Sequence, residues 1–480
     1  MYSWFKKLLE DSVVYGLTPV LSKAMSFLLL PVYTRYLSPS EYGILAILLA
    51  ISIISSTICS HGMASGVFKF HSYKRIDTSL NPVNLPSLYK STAVIATLLV
   101  SLIVLLILVF YRQTLSLQFF DGTDIVNEFT AILLYSFLSC NLSVHFAIFR
   151  AKREKKRVVT LNFVRMIVSI LVTLLMLIYY GQGLYGYIIG LVSGELIVLI
   201  ILSPVISKLF REGFNLKKYF ELVKYSISFV PHRLMGIVMM YVGIYFINIH
   251  AGTNELGLYS IAEKITLPMM IIIGSVQQAW ATIKFEIIAA EKKPFEVISK
   301  ILSGYILILI VLYVLVSLWG GFLLPILVSD VFREASYYIP FLALIHISNA
   351  VYFIYASAIE VGKSTYLLPL SSLSGLVTTT FLSYKFIPIY GPAAAALALS
   401  FGWITMALVV NLISKRQIKI KLKYLVVLFS TLVLILVFKY VSPHDVYLSI
   451  IGTLIFLLLF IVFFRRDIVY LLRLLNEKNT

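Results

Sequence analysis

Lys23 and Arg233 stand inside long apolar stretches, Val13–Gly43 and Val223–Gly257. Each lies about 9 or 10 residues from the nearest polar end, or about 13–15 Å at the helical rise of 1.5 Å per residue. That depth strains snorkelling, and a charge facing hydrocarbon there costs about 2.5 kcal/mol or more, so each is expected to face a wet interior or an acid. Lys264 beside Glu263, Arg165 and Arg35 are the other cations in apolar surroundings that could line such an interior. The acids able to answer them are Glu195, Glu263 and Glu360. A cavity in which buried cations outnumber acids selects an anion, and lysine and arginine suit a lipid-borne phosphate or pyrophosphate. Glu195, set between glycines, reads as the charge partner of a buried base or as a proton or sodium site, and Glu263 as a second such candidate. His61, His145, His232 and His346 lack the spacing of a metal site and read as polar packing groups. The longest outer connection, around Tyr111–Glu128, carries no cluster of His, Arg and Glu, so the chain reads as no enzyme, with no catalytic residue and no cofactor beyond a coupling Na+ or H+.

Composition says what must position these charges. Apolar residues make up 60% of the 480 and charged residues only 13%, with mean hydropathy +0.94. A soluble domain carries about a quarter charged residues; this chain cannot cover a surface of its own with polar groups, so lipid is its solvent. The net charge of +18 would suit nucleic acid, but the basic residues come in short clusters between apolar runs, as in the cytoplasmic loops of a multi-span protein. Cys59 and Cys140 sit inside apolar runs and read as small buried side chains. Lys6 and Lys7 are followed by Glu10 and Asp11 and then a full-length span, which argues against a cleaved leader.

At about 20 apolar residues per span, about fourteen transmembrane helices are expected, near 13–36, 43–67, 89–110, 129–149, 158–179, 185–206, 225–249, 257–282, 301–325, 338–358, 366–386, 391–413, 424–441 and 446–464. Of the 40 lysines and arginines, 31 fall in alternate connections, which places those connections and both termini in the cytoplasm. The chain also repeats itself. Pro19, Lys23, Glu41 and Gly43 match Pro231, Arg233, Glu255 and Gly257, at offsets of 210 to 214 positions. The turn Tyr180-Gly181 before the sixth span matches Tyr390-Gly391 before the twelfth. Small residues follow each turn, Gly186, Gly190 and Gly194 in one and Ala393–Ala396 with Ala398 in the other, and they would let helices approach closely. Six spans per copy make a parallel repeat. The expected domains are a six-helix lobe over 1–212, a second over 213–416, and two additional helices with a tail over 417–480.

Val14–Gly43, the basic turn Phe149–Lys156, the Glu360–Lys363 segment and the two Tyr-Gly turns resemble the polysaccharide transporter family. This family includes the O-antigen and capsule repeat-unit flippases of the multidrug/oligosaccharidyl-lipid/polysaccharide (MOP) exporter superfamily. The resemblance runs over essentially the whole chain. It implies an all-α integral membrane protein of the bacterial inner membrane, with two six-helix lobes in a V, a central cationic cavity and two extra C-terminal helices. It implies that undecaprenyl-pyrophosphate-linked oligosaccharides pass from the cytoplasmic to the outer leaflet by alternating access, with a polymerase and a chain-length regulator as partners. Lys23 and Arg233 match cavity cations of such flippases. An ion-coupled multidrug antiporter is the alternative, but its usual acidic site in the first lobe has no counterpart in the first four spans. A membrane polymerase or ligase is the third reading.

Overall fold

The computed structural model describes residues 27–72, 85–120, 125–227, 229–290, 294–361 and 368–413, with 450, 451 and 454. Lys23, most of the first span and nearly all of the last two expected spans lie outside them. Among the described residues the regular elements are all helical: α1 Leu30–Tyr36, α2 Pro39–Ser60, α3 Met63–Ser72, α4 Leu85–Phe110, α5 Arg112–Phe119, α6 Val126–Ala151, α7 Lys155–Leu174 with a π turn over Leu175–Tyr179, α8 Gly183–Arg211, α9 Leu216–Ser226, α10 Phe229–Ile265, α11 Leu267–Ala290, α12 Pro294–Leu327 with a 3-10 segment over Asp330–Tyr338, α13 Ile339–Val361, α14 Leu368–Tyr390 and α15 Pro392–Ile413. Eight helical stretches among them are long and apolar enough to cross a bilayer. Helices overlie each expected span from the second to the twelfth.

Which side chains are hidden confirms the solvent. On α4 the buried positions include Ser91, Thr92, Thr97 and Ser101, while Leu99, Leu102, Ile103, Leu106 and Ile107 are exposed. A soluble helix would do the reverse. The hidden polar groups are satisfied internally: the Thr97 hydroxyl donates to the Ala93 carbonyl at 2.8 Å, and Asn141 Nδ2 on α6 donates to Ser101 Oγ at 2.9 Å. The protein is a multi-pass membrane protein.

Three boundaries depart from the sequence reading, each for a local reason. The second span ends at Ser60, because His61 (φ 31°) and Gly62 (φ 78°) turn the chain in the left-handed region before α3. The seventh span starts at Phe229 and not near 225. Asn215 caps a separate helix, its side chain accepting from Lys218 N at 3.0 Å, so Leu216–Ser226 stands apart as α9. The seventh and eighth spans are joined end to end in α10, and Gly252 (φ 82°, ψ 173°) breaks the helix between them.

Among the described residues, those from Glu41 to Tyr241 form one compact unit, and those up to Ser40 with those from Val242 onward form another. In the first, α9 is locked against α3 and α4. Gly66 has no room for a side chain, since a Cβ would lie 2.8 Å from both Leu222 Cδ2 and Ser226 Oγ. Lys218 Nζ donates to Tyr89 Oη at 3.0 Å, the Tyr89 hydroxyl donates to Glu221, and Phe70 stacks on the Tyr89 ring at 4.4 Å. In the second, Trp280, Tyr305 and Tyr313 centre an apolar core between α11, α12 and α13. The end of α1 is tied to this unit through Ser329, whose hydroxyl donates to the Thr34 carbonyl at 2.6 Å.

Candidate functional site

The glycine stripe of the sixth span determines where its one acid goes. A Cβ at Gly190 would lie 2.8 Å from the Ser169 carbonyl oxygen, and one at Gly194 would lie 2.7 Å from that of Arg165. Backbone atoms cannot yield, so only glycine lets α8 approach α7 this closely. The approach sets Glu195 Oε1 3.1 Å from Arg165 Nη1. The Glu195 side chain is 2% exposed and that of Arg165 36%. The guanidinium also lies 6.0 Å from the centre of the Phe146 ring. The second carboxylate oxygen, Oε2, is buried and has no hydrogen-bond partner among the described residues. Ser139 and Tyr135 of α6 face the same carboxylate. Of the two roles open to Glu195, charge partner is the one the geometry displays, and Arg165 is engaged rather than free.

Arg233 is placed differently. It is the fifth residue of α10, about 6 Å beyond the first at 1.5 Å per residue. Sequence places it deeper only because the apolar count runs α9 into the span. Arg233 is exposed and lies within electrostatic range of Arg150, which is also exposed and stands in the last turn of α6. Neither forms an ion pair with an acid among the described residues. By sequence Arg150 belongs with the solvated basic turn; its position at the end of a span, where that turn begins, is the one signal that sets it apart.

The remaining described candidates belong to the other compact unit. Arg35 is exposed in the last turn of α1. Glu263 is exposed and Lys264 half-buried on α10, and no ion pair joins them among the described residues. Successive helical positions point about 100° apart, which separates their side chains. They stand at the break between α10 and α11: Thr266 Oγ1 donates to the Glu263 carbonyl at 2.8 Å and bonds His346 Nε2 at 2.8 Å, just before Pro268. His346 is a packing group, as its sequence context implies. Lys23 lies outside the described residues.

The repeated Glu-x-Gly motifs are anchors. Glu41 Oε1 accepts from the Leu184 backbone N–H at 3.3 Å, placing a carboxylate at the N-terminus of α8, where the helix dipole favours it. Its counterpart Glu255 accepts from Tyr338 Oη at 2.6 Å. In the sequence these glutamates do no more than mark the repeat.

Residues 8–281, more than half of the chain, match the family model described as polysaccharide biosynthesis protein. The chain belongs to that family. A protein of the Lsg locus of Haemophilus influenzae is 23% identical over 405 residues, covering 80% of this chain and 94% of the relative. Among solved structures, lipid II flippase MurJ in an inward closed conformation superposes with a TM-score of 0.70 at 14% identity, covering 95% of this chain and 100% of MurJ. An outward-facing multidrug MATE transporter of the MOP superfamily gives 0.59 at 13% identity, covering 85% of this chain and 94% of its own. A Pyrococcus furiosus MOP transporter, described as having a binding pocket of reversed polarity, gives 0.61 at 13% identity, with the same coverage. These similarities establish the fold: this family member has the architecture of MurJ and of the MOP-superfamily transporters.

Proposed function

We propose that the protein is a flippase that moves undecaprenyl-pyrophosphate-linked oligosaccharide repeat units, of O-antigen, capsule or a related surface polysaccharide, from the cytoplasmic to the outer leaflet. The observation that carries this reading is the polysaccharide-biosynthesis family match on a MurJ-like fold. A lobe of six spans over 1–212 and a second over 213–416 would alternate access to a cationic chamber, with residues 417–480 appended. Both termini would face the cytoplasm of a bacterial inner membrane, and a polymerase and a chain-length regulator would act downstream. Lys23 and Arg233 hold the pyrophosphate in this scheme, with Lys264 and Arg35 along the path. Arg165 contributes through its pair with Glu195. A coupling H+ or Na+ would use Glu263 or the Oε2 of Glu195, the carboxylate oxygen that Arg165 does not take.

Export of cationic drugs shares the fold, but Arg165 already occupies the acid such a substrate would need. Proteoliposomes separate the readings. A fluorescent pyrophosphate-linked oligosaccharide that becomes accessible on the opposite face supports flipping. Cation efflux without such transfer, or sugar bond formation, overturns it.

A further inference from the structure

The exposed side of α9 has a composition that water does not explain. Phe214 (42% exposed), Leu216 (60%), Phe220 (60%) and Ile227 (48%) are all exposed. Lys217 and Lys224 are exposed in the same stretch. On a helix, positions 217, 220, 224 and 227 fall on one face. The opposite face is spent on the unit: Leu222 and Ser226 are fully buried against Gly62 and Gly66, and Glu221 and Lys218 are engaged with Tyr89. The element thus presents aromatic and aliphatic side chains interleaved with lysines while its anchoring side is closed.

Its place in the chain narrows the partner. α9 connects the end of α8 at Arg211 to the start of α10 at Phe229, both of them spans, so it lies at the level where the bilayer ends. Short helices with this mixture lie in the headgroup plane, the apolar side chains among acyl chains and the lysines at phosphates. The geometry points to α9 as a docking surface for anionic phospholipid headgroups of the leaflet that carries the basic connections. The aromatic and aliphatic side chains supply depth. Lys217 and Lys224 supply selection of anionic over zwitterionic lipid. The surface depends on the multi-span architecture alone and not on what the protein transports.

The test uses the full chain in nanodiscs with Phe220→Trp, read against the parent's own tryptophans, and with brominated phosphatidylcholine or brominated phosphatidylglycerol at equal mole fraction. Emission from the introduced indole is expected to be quenched by both lipids, at least twofold more by phosphatidylglycerol. Lys217→Gln with Lys224→Gln should bring the ratio to one while quenching persists, and Lys→Arg at both positions should keep the preference. These positions are exposed, and an unchanged thermal transition checks that the variants fold. Absence of quenching by either lipid overturns the proposal, as does equal quenching by both while the two lysines are in place. Transfer of the oligosaccharide lipid is measured separately, so either result can fail without the other.

Discussion

Gly257 packs directly on Pro39: a Cβ at Gly257 would overlap the proline carbonyl group. One turn away Ser40 Oγ and Thr253 Oγ1 share a hydrogen bond of 2.7 Å. Ser40 and Thr253 lie 213 positions apart in the sequence, yet the Pro39–Ser40 and Thr253–Gly257 segments are in contact there. Gly257→Ala must move backbone, and overpacking of that kind costs about 1–3 kcal/mol. The melting temperature of the detergent-solubilised protein should fall clearly. Gly236→Ala on α10, which meets nothing within 4 Å, should leave it nearly unchanged. Equal melting temperatures for the two variants would remove the contact as a structural requirement.

The Arg165–Glu195 pair predicts an asymmetry. Arg165→Ala strands a carboxylate that is 2% exposed, whereas Glu195→Ala leaves a guanidinium that is already 36% exposed and can turn outward. Breaking a buried pair by removing one partner costs about 3–5 kcal/mol, and the arginine variant should sit in that range with the glutamate variant well below it. The double variant should be more stable than Arg165→Ala alone. A double-mutant cycle of thermal stabilities with no coupling would show that the 3.1 Å contact contributes nothing.

Docking of α9 should have an acid limit. The Tyr89 hydroxyl, and then Lys218, hold the Glu221 carboxyl below its usual value. A carboxylate lowered in the folded state stabilises above its unfolded pKa of about 4.3 and loses that contribution as pH falls through the folded value. Lys218 is raised by Tyr89 and Glu221, so its contribution is complete below about pH 10.4 and fades as pH rises further. The groups are partly exposed, and the effect should stay under about 1 kcal/mol. A nitroxide on Phe220→Cys should report faster motion below about pH 4. Glu221→Gln should be mobile at neutral pH already and show no acid step.

The long apolar runs make the spans legible, because nothing but a helix or a closed barrel spans lipid. The spacing of Gly186, Gly190 and Gly194 makes the α7–α8 contact legible, since close approach requires such a stripe. The α9 boundary is hidden because Val223, Tyr225 and Ile227 continue the apolar count toward Phe229. The cap at Asn215 is the local sign that a separate helix has begun. The partnership of Arg165 with Glu195 spans 30 positions and depends on helix rotation, which residue types alone do not specify. Sequence reads these cations as one set; in the structure Arg165 is paired with Glu195, Arg233 is exposed within electrostatic range of Arg150, and Arg35 and Lys264 belong to the other compact unit.

These placements order the functional test. Arg233 forms no ion pair with an acid among the described residues and lies within electrostatic range of Arg150, so an anion there would meet two cations. Arg233→Ala should lower transfer of the pyrophosphate-linked oligosaccharide in proteoliposomes at least about tenfold, the equivalent of one lost charge-assisted contact. Cells carrying it should lose surface polysaccharide while the protein remains in the membrane. Lys23→Ala should behave alike, and Arg150→Ala should show a smaller loss. Arg233→Lys should restore part of the activity, because a point charge replaces the charge but not the planar fork. Near-normal polysaccharide in both Lys23→Ala and Arg233→Ala would remove the cationic chamber from the mechanism. Loss that follows the protein's disappearance from the membrane would reduce both residues to folding roles.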